Sequence, residues 1–202
     1  MHPLLEYDYY IVSQNAEKVK WYNMAMKIYL VRHGQTDWNV KRIAQGRTDI
    51  PLNETGIAQA EALRDKIRNK TIDVCYSSPL SRAKRTAEIV VDGRCGIITD
   101  DLLVERCFGT FEGTNPGEAW LKYWTLGHPR DVEGLEPLDD VFLRTKKFIQ
   151  KIKAEHAPDE CILIVGHGGL LKTMHFNIVG YDYDTDFMSR HLGNGEIWEY
   201  EI

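Results

Sequence analysis

The sequence predicts an α/β fold with a mostly parallel central sheet, on three observations. Short β-rich runs alternate with segments of helical periodicity, the pattern of chained βαβ units. One run, Cys161-Ile-Leu-Ile-Val165, is apolar at every position, as a strand buried on both faces should be. Two runs end in a His-Gly pair, Arg32-His33-Gly34 and Gly166-His167-Gly168. In open α/β sheets ligands bind beyond the carboxyl ends of the strands, so two histidines at two such ends can converge on one site.

Each element has its own signal. Lys27 to Arg32 is a β-rich run closed by His33-Gly34. Ile57, Ala60, Leu63 and Ile67 recur at helical spacing behind Asn53 or Thr55 as cap. A second strand is expected over Ile72 to Tyr76. It is followed by a helix carrying Leu80, Ala83, Ala87 and Val90, with Pro79 in its first turn. Gly96 to Thr99 reads as a third strand. Asn115 to Arg130 holds Trp120, Tyr123, Trp124 and His128 and is expected to form a short helix over the site. Leu138, Val141, Phe142, Ile149 and Ile152 mark a longer amphipathic helix ending before Pro158. Another helix follows Gly168-Gly169 and runs to about Val179. The closing Glu196 to Ile202 alternates apolar and acidic residues and reads as an edge strand.

The chain has 202 residues, enough for one sizeable domain that buries roughly 70% of its unfolded surface. A surplus of 30 acidic over 25 basic residues argues against a nucleic-acid binder, whose usual footprint is basic. No apolar run reaches the length of a membrane helix. Glu6 and Asp8 precede any basic residue, unlike a signal peptide. Cys75, Cys95, Cys107 and Cys161 contain no C-x-x-C pair, and a reduced, cytoplasmic protein is the simpler reading. A composition change at Met26 separates residues 1–25, read as an N-terminal extension, from a catalytic domain over residues 26–202. The extension is either an upstream start that is not native or a helical arm.

Hydrolysing a phosphate monoester without a metal requires cations for the phosphoryl oxygens, a nucleophile, and an acid for the departing alkoxide. Arg32 can offer a bidentate guanidinium. Arg82 follows Ser77-Ser78-Pro79-Leu80, near a helix N-terminus where anions are favoured. His167 can donate a further hydrogen bond. His33, kept neutral by neighbouring arginines, is the natural nucleophile. Glu105, in the loop after the third strand, can protonate the leaving oxygen and then activate water.

These residues also sit in ordered blocks. The blocks are Arg32-His-Gly-Gln-Thr-Asp-Trp-Asn39, Gln45-Gly46-Arg47-Thr-Asp49 running on to Ala60, Ser77-Ser-Pro-Leu-Ser-Arg82, Glu105-Arg-Cys-Phe-Gly-Thr-Phe-Glu112-Gly113, and Val165-Gly-His167-Gly-Gly169. Together the pattern resembles the histidine phosphatase superfamily, the phosphoglycerate mutase-like enzymes, over nearly all of residues 27–202. The resemblance implies a three-layer α/β/α sandwich and a phosphohistidine at His33. It implies that Arg32, Arg82 and His167 bind the phosphoryl group, assisted by Asn39 and the Gly168 amide, with Gln45 and Gly46 at the substrate-binding periphery. Glu105 matches the proton donor. No cofactor and no metal are implied, in keeping with a sequence that lacks H-E-x-x-H, a P-loop and G-x-S-x-G.

Two other motifs fail on inspection. Cys75 and Arg82 are one residue too far apart for a cysteine-phosphatase loop. Asp182, Asp184 and Asp186 open like a calcium loop, but Phe187 replaces its glycine and Gly193 its final glutamate. The 62 positions from Glu105 to His167 are compact for a mutase, and Gly169 follows His167-Gly168 where mutases commonly carry asparagine. A phosphatase acting on small-molecule phosphate esters is the favoured reading. A mutase-type phosphoryl transferase and a non-catalytic phospho-ligand module on the same fold are the alternatives. Arg47 and His128 are the candidates for holding a second anionic group of the substrate, and the aromatics of 115–130 either pack as a satellite core or form an apolar lid.

Overall fold

The structure, a computed structural model, describes residues 25–182 and 184–202. The expectations for residues 1–24, extension or arm, lie outside the described residues. Five strands form one sheet: β1 (Lys27–Arg32), β2 (Val74–Ser77), β3 (Ile97–Thr99), β4 (Cys161–Gly166) and β5 (Ile197–Glu201), in the order β3-β2-β4-β1-β5. All neighbouring pairs are parallel except β1 with β5, which is antiparallel. The helices are α1 (Asp37–Val40), α2 (Glu54–Ile67), α3 (Ser81–Val91), α4 (Leu138–Glu155) and α5 (Gly168–Val179). Among the described residues, no helix is long and apolar enough to cross a membrane.

The three layers follow from the two-residue period of the strands. Tyr29, Val31, Cys75, Leu163 and Val165 point to one face and pack on Ala60, Leu63 and Ile67 of α2 and Ala83, Ala87 and Val90 of α3. Ile28, Leu30, Tyr76, Ile162 and Ile164 point to the other and pack on α4 through Val141, Phe148 and Ile152, and on α5 through Leu170, Leu171 and Met174. The continuous apolar run of β4 is thus used in full, at about 1.5–3 kcal/mol per buried side chain. The central strands therefore hold the layers together and fix the strand ends that carry the site.

Local chemistry explains most boundaries. Asn53 caps α2 through its side chain and the Gly56 amide. Thr36 and Asn39 form a capping box around the short α1, which the sequence reading did not anticipate. Pro79 falls outside α3, one residue before the cap Leu80, not in the first turn as expected. β2 begins two residues later than expected. The Asp73 carboxylate accepts the Cys161 amide at 2.8 Å, and the Asp73 amide donates to the Cys161 carbonyl, tying the lead-in to β4. The helix expected within 115–130 is a single 3-10 turn, Leu121–Tyr123. The positive φ of Gly117 and Gly127 breaks the backbone on either side of it, next to Pro116 and close to Pro129. Asp182, Asp184 and Asp186 are exposed, and Asp182 Oδ1 accepts the Asp184 amide and the Thr185 hydroxyl.

Candidate active site

β1 and β4 pair with Arg32 opposite Gly166, so the two His-Gly pairs leave the sheet side by side. The His33 amide continues the ladder to the Gly166 carbonyl at 2.9 Å, and the rings of His33 and His167 lie 5.2 Å apart. The Ser78 amide bonds the Val165 carbonyl at 3.0 Å, bringing the end of β2 and the start of α3 to the same rim. Three strand ends thereby converge, as the topology of an open α/β sheet favours.

The tautomer of His33 is set by its neighbour. Its Nδ1 lies 2.7 Å from the Gly34 carbonyl, which can only accept, so Nδ1 carries the proton and Nε2 keeps its lone pair. Burial, then Arg82, then Arg32 hold its pKa well below the usual histidine value. His167 has no exposed surface. Its Nδ1 accepts from Arg82 Nε at 3.2 Å and its Nε2–H donates to Ser78 Oγ at 2.8 Å. Its pKa is also well depressed, by burial first and then by Arg82.

The two arginines are held differently. Arg82 is almost wholly buried. Its Nη atoms donate to the carbonyls of Gly46 and Thr48, at 2.7 and 2.8 Å. That loop is in turn braced by Glu112, which accepts the amides of Arg47, Thr48 and Phe108 and the Thr48 hydroxyl. Gly46 has φ +51°, and a Cβ there would strike the Glu112 carboxylate. Arg32 donates from Nη1 to the Leu192 carbonyl at 2.8 Å, while its buried Nε has no partner. Among the described residues it is the single buried side-chain nitrogen or oxygen in that condition. Such an atom marks a place where an acceptor is missing.

Glu105 sits at the N-terminus of α5. Its Oε1 accepts the amides of Arg106 at 2.8 Å and Leu170 at 2.9 Å, and its Oε2 accepts Gly169 at 3.0 Å. Asn39 Oδ1 accepts the Thr36 amide and Gln45 Oε1 accepts the Thr36 hydroxyl, which fixes both amide groups.

Arg32, His33, Asn39, Gln45, Gly46, Arg82, Glu105 and Gly168 line one cavity of about 190 Å³. His167 does not line it and lies behind Arg82 and His33. The opposite wall is apolar: Phe108, Trp120 and Trp124 meet edge to face, beside Ile43 and Ala44. Both expectations for the aromatic segment are met in part. Trp124 belongs to a cluster with Phe142 and Phe176, and the same ring forms cavity wall.

Two expectations fail. His128 is not at the cavity. Its Nδ1–H donates to the Pro129 carbonyl, and its Nε2 accepts from Arg106 and the Leu138 amide, so it is a buried brace for Arg106. Arg47 turns away to the Glu105 carbonyl and the Glu136 carboxylate. Lys172, Met188 and His191 line the cavity instead, and sequence reasoning missed them. A signal for Lys172 existed: it is the lone charge in the apolar helix Gly168–Val179, one turn after Gly168. His191 carried none. No group of three His, Cys, Asp or Glu side chains among the described residues is placed to hold a metal ion.

Comparison with known proteins agrees with this geometry. The family model described as histidine phosphatase superfamily (branch 1) matches residues 28–202. The chain is 38% identical over 156 residues to the uncharacterized phosphatase PhoE of Bacillus subtilis, covering 77% of this chain and 78% of that protein. It is 30% identical to a 2,3-bisphosphoglycerate-dependent phosphoglycerate mutase of Methylobacterium, covering 80% and 85%. A mycobacterial glucosyl-3-phosphoglycerate phosphatase, solved with VO3, superposes with TM-score 0.77 at 26% identity, covering 87% and 90%. Fold, strand-end geometry and sequence match agree, and the chain belongs to branch 1 of the histidine phosphatase superfamily.

Proposed function

We propose that residues 26–202 form a metal-independent phosphatase that hydrolyses small-molecule phosphate monoesters through a phosphohistidine at His33. The observation that carries this reading is the His33 Nδ1–H bond to Gly34, which leaves a neutral Nε2 lone pair beside the unpartnered Nε of Arg32. The phosphoryl oxygens take the place of that missing acceptor, with Arg82, the Asn39 amide and the Gly168 N–H around them and His167 behind Arg82. Gln45 and Gly46 border the leaving group.

In the first step Nε2 attacks phosphorus and the bond to the leaving oxygen breaks, as that oxygen takes the proton from protonated Glu105. In the second, the Glu105 carboxylate takes a proton from water, whose oxygen attacks phosphorus as the P–N bond breaks. Phosphate leaves, Glu105 is again an acid, and the Nε2 lone pair is restored. Arg32 and Arg82 supply the positive charge that a metal supplies elsewhere. His167, whose nitrogens are engaged with Arg82 and Ser78, acts first by fixing the Arg82 guanidinium.

The phosphatase names among the relatives support hydrolysis, and the cavity is small beside the ~300–1,000 Å³ of pockets for drug-sized ligands. Free cysteines at all four positions support a reducing, cytoplasmic setting. The 30% identity to a mutase keeps phosphoglycerate phosphoryl transfer as the second reading. The deciding experiment is turnover of p-nitrophenyl phosphate and a panel of natural phosphate esters in EDTA, alongside a phosphoglycerate interconversion assay. Free phosphate without interconversion is expected. Interconversion faster than phosphate release favours the mutase, and no turnover on any ester favours a binding module.

A further inference from the structure

Lys172 lines the cavity, and the two-step reaction gives it no task. It lies four residues beyond Gly168, one helical turn or about 5–6 Å along the axis. Gly168 itself packs on the Arg32 guanidinium, where a Cβ would stand 3.3 Å from Cζ. The Lys172 side chain is buried, with Nζ 4.8 Å from the Trp124 ring centre and 3.3 Å from Met188 Sδ. Among the described residues that thioether is its sole hydrogen-bond acceptor, and it has no ion-pair partner. A buried ammonium in that state costs several kcal/mol, which an aromatic face offsets only in part. Leucine or methionine would fill the same space without that cost.

The surroundings are specific. Arg32 faces Lys172 from the end of β1, Glu105 from the loop after β3, and Asp186 and His191 from the segment before β5. Burial pushes the Lys172 pKa down to about 8. Arg32 adds to that effect, and Glu105 and Asp186 oppose it. His191 accepts from Arg32 Nη1 at 3.3 Å through Nε2, so the Nδ1 of its neutral ring is a donor. The ammonium, bonded to a thioether alone, and the imidazole N–H have no oxygen acceptor among the described residues, and a ligand can bring one.

We propose that Lys172, with His191 beside it, selects phosphate monoesters whose alcohol carries a carboxylate within about one helical turn of the phosphoryl group, a selection that rests on the phosphatase reading of the same cavity. The compact, three-donor ammonium suits a carboxylate, and the cavity of about 190 Å³ suits a small hydroxy acid.

Matched esters test it. In EDTA, kcat/KM is compared for 3-phosphoglycerate against glycerol 3-phosphate, and for phosphoserine against phosphoethanolamine; within each pair the carboxylate is the difference. The acid should be preferred by roughly 10- to 100-fold, the range of one charge-assisted hydrogen bond. Lys172→Met should bring the ratio toward one, and Lys172→Arg should keep most of it. In the wild type the ratio should fall as pH rises above about 8, where the ammonium discharges; in Lys172→Arg it should stay flat. A wild-type ratio near one, a ratio independent of pH through that range, or a wild-type ratio kept in Lys172→Met would overturn the assignment. The last result, with both esters slowed equally, would make Lys172 a support for Glu105. If the wild type hydrolyses none of these esters and no p-nitrophenyl phosphate, the phosphatase reading itself falls and the selection with it.

Discussion

Glu105→Gln keeps the size of the side chain and removes its ability to carry a proton, so it separates chemistry from support. In the structure Oε1 accepts two amides and Oε2 one, from Gly169 at 3.0 Å. A glutamine that satisfies the first two sets its NH2 against the Gly169 N–H, donor against donor. The loss of that bond and the unpaired amide should cost about 1–3 kcal/mol of stability, read by urea unfolding. The catalytic loss is a separate quantity. Removing a positioned acid costs roughly 10²- to 10⁴-fold, or about 3–5 kcal/mol of barrier. An alkyl phosphate, whose alkoxide needs that proton, should show the whole loss. With p-nitrophenyl phosphate the phenolate departs unprotonated, so phosphorylation of His33 should survive while the water attack slows. Stopped-flow absorbance should then show a burst of one p-nitrophenolate per active site, followed by slow turnover. An equal loss on both esters with no burst would refute proton transfer by Glu105 and leave it a docking residue for α5.

Three further outcomes follow from the same geometry. Both buried histidines have folded pKa values below the unfolded value of 6.5. The unfolded chain therefore takes up protons first as pH falls. Stability is full above pH 6.5 and declines below it until the folded values are passed, by up to about 1.4 kcal/mol per pH unit for each histidine. His33→Asn should lower that slope by one histidine's share in denaturant titrations across pH 5.5–6.5, about 1.4 kcal/mol per unit at most; an unchanged slope would contradict the buried neutral state. Inorganic phosphate should raise the wild-type Tm, a stabilisation of about 2.7 kcal/mol at one hundred times Kd, and Arg32→Met should abolish that rise. A persistent rise would place the anion elsewhere. Gly169→Ala puts a Cβ 2.8 Å from both Glu105 Oε1 and Trp124 Cη2. Overpacking of about 1–3 kcal/mol should lower both Tm and the rate on alkyl phosphates; wild-type values for both would show that the contact yields freely.

What could be read from the sequence was what periodicity and strand-end punctuation encode. The unbroken apolar run of β4 announced a central strand, and the His-Gly pairs at the ends of β1 and β4 announced the site, because neighbouring parallel strands leave their carboxyl ends on one side. Residues whose place depends on loop packing were not legible. His128 and Arg47 have the right chemistry for an anion, but Arg106 claims the first and Glu136 the second. Lys172 stands as a lone charge within an apolar helix, and the cavity it lines is created only by tertiary packing. His191 approaches Arg32 from 159 positions away, a contact set by the return of the chain to β5.

The central claim is that phosphoryl transfer passes through Nε2 of His33. The most direct test is to mix the wild-type protein with a phosphate ester labelled in the phosphoryl group, quench in alkali within one turnover, and map the label on peptides. The expected result is an acid-labile, alkali-stable label on the peptide carrying His33, linked at Nε2 and absent from His33→Ala. Label on another residue, label that persists in His33→Ala, or undiminished turnover by that variant would contradict it.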